Sequence, residues 1–309
     1  MTATRSDSDA VAAQSPVAGR AHEAVANGAA VSGPAKTPRE IFYRHRLATR
    51  VTHWINALCV AILVMSGLQI FNAHPRLYWG EVGAYGDSAA FEIGAYDGED
   101  GLKGVVRIGA LEFDTTGVFG VSNGAYGRAT VQAFPSWATI PSYRDLATGR
   151  RWHLFFAWVF VINMCVYFAF SIANGHFRRD LLPARGELRP RHVLSEIVAH
   201  ARLRFSKGET AKRYNILQKT SYLAIILIVL PTMILTGLSM SPGFNAAAPW
   251  LSDLLGGRQS ARTFHFVAAS LVVLFVVIHL AMVLLTGPWN GVRSMVTGCY
   301  VVPPARKHG

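Results

Sequence analysis

Long apolar runs separated by polar connections dominate the chain after residue 38. Four of them cover residues 49–71, 152–172, 215–238 and 262–286. About 20 apolar residues suffice for an α-helix to cross the ~30 Å hydrocarbon layer of a bilayer. The pattern therefore predicts an all-α membrane protein built on a bundle of four transmembrane helices.

Polar and alternating stretches define the other predicted segments. The run 102–122 alternates partly between apolar and polar residues and is bounded by glycines, which predicts short strands. It lies in a long insertion between the first and second helices. The predicted organisation is a disordered tail (1–38), a transmembrane domain (39–74 and 150–290), the insertion (75–149), a basic connection (175–214) and a second tail (291–309).

Composition supports a membrane protein. Of the 309 residues, 51% are hydrophobic and 16% are charged, whereas soluble domains carry about 25% charged residues. The net charge of +12 raises the possibility of nucleic-acid binding. Because the basic residues flank apolar runs, membrane topology explains them better, and we expect no nucleic-acid partner.

The distribution of charge predicts the orientation. Basic residues are concentrated before the first helix, in the connection 175–214 and in the tail, which places all three in the cytoplasm by the positive-inside rule. The insertion then faces outward. Up to Gly149 it holds nine acidic and five basic residues, and it is either a simple cap or a docking surface for a soluble partner.

Four histidines fall within the apolar runs, where ionisable side chains are costly and usually functional. His53 begins the first helix and His279 ends the fourth, so both lie at the cytoplasmic level. His153 begins the second helix and His265 begins the fourth, so both lie at the outer level. A lone membrane histidine can simply hydrogen-bond a neighbouring helix, but two coherent pairs favour two cofactor sites.

The fourth helix supplies one histidine to each level. His265 and His279 are 14 residues apart, which returns a helical side chain to nearly the same face about 21 Å along the axis. Between two imidazoles in an apolar bundle, bis-histidine b-type haem fits best. Zinc or copper would need further ligands, and a proton relay would need carboxylates. The sequence has no CxxCH motif for covalent haem attachment.

Glycines and arginines near these levels fit the same hypothesis. Gly67 and Gly237 lie at the outer level, in MSGLQI and LTGLSM, where they would admit a porphyrin or a neighbouring helix. Arginines near the histidines would pair with haem propionates or anchor the helices at the interface. These are Arg50, Arg150, Arg151 and Arg262.

Three motifs carry a family resemblance. RVTHW (50–54) opens the first helix, RRWH (150–153) opens the second, and the fourth holds the histidines spaced by 14. Over about residues 40–300 the chain resembles the di-haem b-type cytochrome subunits of membrane-bound nickel–iron hydrogenases, formate dehydrogenases and thiosulfate reductases. The resemblance implies two non-covalent b haems, with iron held by His53 and His279 on the cytoplasmic side and by His153 and His265 on the periplasmic side.

The resemblance also implies a function, a location and partners. The chain would be a multi-pass protein of the bacterial inner membrane, with both termini cytoplasmic. It would serve as the electron-transfer subunit of an oxidoreductase complex rather than as a stand-alone enzyme, and would exchange electrons with quinone. Candidate quinone neighbours near the cytoplasmic haem are Arg50, Asn56, Tyr214 and Asn215.

The insertion departs from simple members of that family because it is much longer. Its stretches 74–83 and 134–153 are similar to those of a subgroup that works with periplasmic molybdopterin oxidoreductases, so a soluble partner of that type is favoured over a hydrogenase. Two alternatives remain open. One is a small-molecule or metal transporter with the histidines and Asn163 along its path; the other is a haem-based redox sensor.

Overall fold

The computed structural model describes residues 41–301 apart from 85, 100, 124–128, 176–181, 184–185, 188 and 203–214. The predicted disordered tail 1–38 lies outside the described residues. So do Tyr214, much of the basic connection 175–214 and the last residues of the second tail.

Four long apolar helices form the bundle, as predicted. They are α1 (Leu47–Ala73), α2 (Leu146–Ala173), the helix Ile216–Met240 and α8 (Arg258–Thr286), each long and apolar enough to cross a membrane. The chain is an integral membrane protein, and the predicted fold class is confirmed.

The third spanning helix is not uniform. It consists of α4 (Ile216–Ala224), a π-helical turn (Ile225–Val229) and α5 (Leu230–Met240). Pro231 lies two residues after the end of the π-helical turn. Because proline lacks an N–H and its ring crowds the carbonyl four residues earlier, a local widening of the helix before it is physically reasonable.

The second spanning helix begins earlier than its apolar run. Asp145 caps α2 by accepting a hydrogen bond from the Thr148 amide at 3.0 Å. The first six residues of α2 include Thr148, Arg150 and Arg151, so the apolar run alone does not reveal the true start of the helix. As a result His153 lies two turns inside the helix, and His265 occupies an equivalent position in α8.

The insertion is built from strands, which confirms the predicted β-structure and extends it. One antiparallel sheet has the order β2 (Arg76–Leu77), β3 (Phe91–Gly98), β4 (Gly101–Ile108) and β5 (Leu111–Asp114), and β6 (Gly120–Asn123) pairs with β7 (Ala129–Gln132).

The insertion shares its core with the bundle. Phe71 at the end of α1 and Phe266 in α8 have ring centroids 4.8 Å apart, and Leu77, Ile93 and Ala133 of the insertion belong to the same apolar cluster. Burying these side chains together stabilises the insertion against the helix ends. We call this the insertion end of the bundle.

The insertion also caps the start of α8. The Gly80 carbonyl accepts hydrogen bonds from the Gln259 and Ser260 amides at 3.0 and 3.2 Å. The Glu81 carboxylate accepts from the Arg258 amide at 3.1 Å. These groups satisfy N–H donors that every helix leaves open at its N-terminus, and the carboxylate also suits the positive end of the helix dipole.

The opposite end of the bundle is closed by a pair of short strands that the sequence did not predict. β1 (Ile41–Tyr43), just before α1, pairs antiparallel with β8 (Cys299–Val301), which follows α9 (Pro288–Thr297). We call this the strand-pair end. Shorter helices α3 (Pro190–Ala201), α6 (Pro242–Ala247) and α7 (Trp250–Leu254) lie in the connections.

Candidate metal centres

The four membrane histidines meet in the two predicted pairs. At the insertion end, the ring centroids of His153 on α2 and His265 on α8 are 6.2 Å apart. At the strand-pair end, the centroids of His53 on α1 and His279 on α8 are 6.4 Å apart. Helix α8 therefore faces both centres, one near each of its ends.

These separations fit one iron between each pair. With metal–nitrogen bonds of about 2.0–2.1 Å, two imidazoles on opposite sides of one metal ion have ring centroids roughly 6.3 Å apart. A direct hydrogen bond between the two rings would bring them closer. Each pair therefore has the spacing that two axial ligands require.

The donor set also suits haem. In the part of the chain that the structure describes, no group of three or more His, Cys, Asp or Glu side chains is placed to hold a metal ion. Each pair offers two imidazole nitrogens, and a porphyrin would itself supply four further nitrogen ligands to an iron. A tetrahedral zinc site would need two further protein ligands.

At the insertion end, each histidine is held by a hydroxyl from a neighbouring helix. The Ser66 Oγ of α1 lies 3.1 Å from His153 Nδ1. The Thr236 Oγ1 of α5 lies 2.9 Å from His265 Nδ1. Both hydroxyl residues are fully buried, so these contacts are shielded from competing water.

A glycine follows each hydroxyl and faces the same ring. A Cβ atom added to Gly67 would lie 3.4 Å from His153 Cε1, and one added to Gly237 would lie 3.4 Å from His265 Cε1. The two glycines thus make room for the histidine rings, and their predicted contact with a porphyrin stays a prediction.

Sequence reasoning missed Ser66 and Thr236. The signal was present in the matching segments MSGLQI and LTGLSM, where a small hydroxyl residue precedes the glycine. Only the glycines of these segments entered the prediction. The role of the hydroxyls depends on which helix face meets α2 or α8, and the spacing within one helix does not report that.

At the strand-pair end, the surroundings of the histidines are aromatic. The His279 ring stacks on Phe275 with centroids 5.9 Å apart, and His53 meets Trp54 edge-on at 5.4 Å. His53 Nδ1 is buried and has no hydrogen-bond partner among the described residues. The two centres therefore differ in the support given to their histidines.

The predicted propionate partners are found in different settings. Arg262 lies on α8 with its guanidinium over the Phe71 ring, 5.7 Å from the centroid, and it donates to the His74 carbonyl. Arg151 is exposed and donates to the Thr148 hydroxyl at 3.0 Å. Of these two arginines, only Arg262 is partly buried.

His74, next to Arg262, marks the boundary of the insertion. Burial, together with the nearby positive charges of Arg262 and Arg76, lowers the pKa of His74. Its ring stacks on Tyr78 with centroids 5.9 Å apart. His74 is thus a neutral packing residue between α1 and the sheet.

Arg50 lies at the strand-pair end, where it joins α1 to α9. Its guanidinium donates to the Val296 carbonyl, and Trp54 Nε1 donates to the Met295 carbonyl at 3.1 Å. A cation suits the carbonyl-rich C-terminus of a helix. Its predicted roles toward a propionate or quinone stay predictions.

The two other described quinone candidates, Asn56 and Asn215, have hydrogen-bond partners within the protein. Asn56 accepts a hydrogen bond from Asn163 Nδ2 at 2.7 Å, and that amide also donates to the Thr52 carbonyl at 2.8 Å. Asn215 caps α4 in a capping box with Gln218. The quinone site stays a prediction.

Four apolar helices with a pair of facing histidines near each end define a membrane-embedded b-type cytochrome. Residues 44–298 match the family described as prokaryotic cytochrome b561. The chain belongs to this family, and it is a haem-binding electron-transfer protein of the membrane. The family-level expectation from the sequence is thereby confirmed.

One curated relative adds detail. The chain is 26% identical over 247 residues to a putative protein-methionine-sulfoxide reductase subunit, YedZ1, of Azospira oryzae, a match that covers 80% of this chain and 93% of the relative. No solved structure matches the chain. Neither match describes a transporter or a sensor, so those alternatives find no support.

Proposed function

We propose that this chain holds two b-type haems and carries electrons across the membrane between quinone and a periplasmic oxidoreductase. His153 and His265 would hold one iron at the insertion end, and His53 and His279 would hold the other at the strand-pair end. The observation that carries the proposal is the spacing of the two pairs, 6.2 and 6.4 Å between ring centroids, near opposite ends of the shared helix α8.

Bound between these pairs, each haem would supply a one-electron Fe(III)/Fe(II) couple. The chain's own contribution is to place the two sites on one shared helix and to surround them with apolar side chains that exclude water. His265 and His279 are about 21 Å apart along α8, so the two centres together bridge most of the ~30 Å hydrocarbon layer.

We assign the insertion end to the periplasm and both termini to the cytoplasm. Basic residues cluster around the strand-pair end and in the connection between α2 and α4, and the insertion is acidic overall. The positive-inside rule favours this orientation. Protease added to spheroplasts should cleave the insertion, whereas protease added to inside-out vesicles should cleave the basic connection; the reverse pattern would contradict the assignment.

The partner that we propose is a soluble molybdopterin oxidoreductase docked on the insertion. The relative in Azospira oryzae is described as a subunit of a protein-methionine-sulfoxide reductase, so reduction of a sulfoxide is the reaction class that we favour for the partner. Electrons would then pass from quinol at the strand-pair end toward the insertion end.

The test uses the full chain, produced with haem supplied and reconstituted in lipid nanodiscs. We expect two haems per chain by pyridine haemochrome assay and a b-type reduced-minus-oxidised spectrum. Addition of decylubiquinol should reduce the haems. One haem per chain would overturn the two-centre arrangement, and two haems that do not respond to quinol would overturn the quinone link.

A further inference from the structure

The side chains of Ser66 and Thr236 each carry one hydroxyl proton, and the neighbouring acceptors identify the group to which each hydroxyl donates it. The Ser66 hydroxyl lies 2.7 Å from the Ile62 carbonyl, and the Thr236 hydroxyl lies 2.6 Å from the Thr232 carbonyl. In both cases the carbonyl is four residues earlier in the same helix. A carbonyl oxygen can only accept, so each hydroxyl donates its proton there.

The state of the two histidines follows from this. Because each hydroxyl donates its proton to a carbonyl, its oxygen can only accept a hydrogen bond from the imidazole. The nearest imidazole nitrogen lies 3.1 Å from Ser66 Oγ at His153 and 2.9 Å from Thr236 Oγ1 at His265. That nitrogen is Nδ1, which must then carry the ring proton. In a neutral imidazole the other nitrogen, Nε2, is left with a free lone pair.

Two further main-chain carbonyls reinforce this assignment. The Leu63 carbonyl lies 3.3 Å from Ser66 Oγ, and the Met233 carbonyl lies 3.2 Å from Thr236 Oγ1. Each hydroxyl proton is therefore surrounded by two carbonyl acceptors of its own helix, which leaves the hydroxyl oxygen to accept from the imidazole.

The arrangement is the same on two different helices. On α1 and on α5, a hydroxyl residue and the glycine after it together form the support for one histidine, and a Cβ added to either glycine would lie 3.4 Å from the Cε1 atom of that histidine. The same support occurs at both histidines of the insertion end. At the strand-pair end, His53 Nδ1 is buried without a partner among the described residues.

We propose that Ser66 and Thr236 are positioning residues that hold His153 and His265 with Nδ1 protonated and Nε2 directed at iron, and that they thereby lower the midpoint potential of the insertion-end haem. An acceptor on Nδ1–H makes the imidazole a stronger donor to the metal, which favours the ferric state. This inference rests on the proposed haem at that end.

The test compares matched hydroxyl deletions in the full, haem-loaded chain. Thr236→Val and Ser66→Ala each remove one acceptor. Thr232→Val is the control. It keeps the main-chain carbonyl that accepts from Thr236 and removes only the Thr232 hydroxyl, which donates to the Ile228 carbonyl at 2.8 Å. Thr236→Ser restores the hydroxyl. The readouts are a spectroelectrochemical titration of each haem and the low-spin ferric EPR spectrum.

We expect Thr236→Val and Ser66→Ala each to raise the midpoint potential of one haem. The shift in the one-electron equilibrium should be on the order of tenfold, or about 59 mV. The g-values of that haem should change as its ligand rings reorient. The second haem, the Thr232→Val control and Thr236→Ser should keep the wild-type potential and spectrum.

The inference is overturned if Thr236→Val and Ser66→Ala titrate like the Thr232→Val control. If Thr236→Val loses the insertion-end haem, the Thr236→Ser variant distinguishes the two explanations. A wild-type midpoint potential in Thr236→Ser supports the positioning role of the hydroxyl. Loss of the haem from Thr236→Ser as well contradicts that role. Failure of the proposed function looks different, because the wild-type chain itself would then lack two titrating haems.

Discussion

His153 and His265 face each other across the insertion end, with ring centroids 6.2 Å apart, although they belong to the second and fourth spanning helices. Neither helix could form this centre alone. Helix α8 takes part in both centres, since His279 meets His53 near its other end at 6.4 Å. The pairing makes the two centres separable by mutation.

Removing one histidine should remove one haem. We expect His265→Ala to lose the insertion-end haem and to keep the other, and His279→Ala to do the reverse, because each iron would lose one of its two axial nitrogens. Haem content per chain should fall from two to one in both variants. Two haems retained in either variant would show that the ligands are assigned wrongly.

The glycines against the histidine rings should tolerate no large side chain. In Gly67→Val and Gly237→Val, a Cβ at 3.4 Å from Cε1 already touches the ring, and the added methyl groups must displace it. We expect loss or strong spectral change of the insertion-end haem only.

Gly243→Val is the matched control for these glycines, because nothing lies within 4 Å of a Cβ added at Gly243. Haem content and spectrum should be unchanged in this variant. A similar haem loss in the control would assign the effect to general misfolding.

The contact between Thr263 and Tyr78 should stabilise the insertion on the bundle. The Thr263 hydroxyl donates to the buried Tyr78 carbonyl at 2.7 Å. Thr263→Val leaves that carbonyl unsatisfied, at a cost of about 1–3 kcal/mol. We expect faster cleavage of the insertion by trypsin under native conditions.

Thr286→Val serves as the control for this prediction. The Thr286 hydroxyl is exposed and donates within its own helix, to the Met282 carbonyl. Equal rates of cleavage in the two variants would mean that the contact at Tyr78 does not hold the insertion in place.

The strand pair can be tested with a cysteine that the chain already has. Tyr43 of β1 lies directly opposite Cys299 of β8. Directly opposed residues in an antiparallel pair bring their Cβ atoms to about 4.5–5.5 Å, close to the separation that a disulfide spans. In a Cys165→Ser background, Tyr43→Cys should form an intramolecular disulfide under mild oxidation.

Ile41→Cys provides the comparison, because its register partner is Val301 rather than Cys299. It should cross-link far less under the same oxidant, as judged by gel mobility before and after reduction. Equal cross-linking of both variants would contradict the register.

The sequence by itself determined the features that depend on the length of an apolar segment or on the periodicity of a helix or strand. Apolar runs of about 20 residues must be spanning helices, and the depth of each histidine along its run sorts the four into two levels. His265 and His279 could be placed on nearly one face of α8 because helical geometry converts a spacing of 14 directly into an angle. The strands around 102–122 were predictable from alternation for the same reason.

Only the tertiary structure decided the contacts between residues far apart in the chain. The support of His265 by Thr236, the capping of α8 by Gly80 and Glu81, and the pairing of β1 with β8 have no period and no fixed spacing. They depend on which helix faces meet and on where the insertion folds back. A local pattern holds no information on either, because such contacts form only when the whole bundle packs.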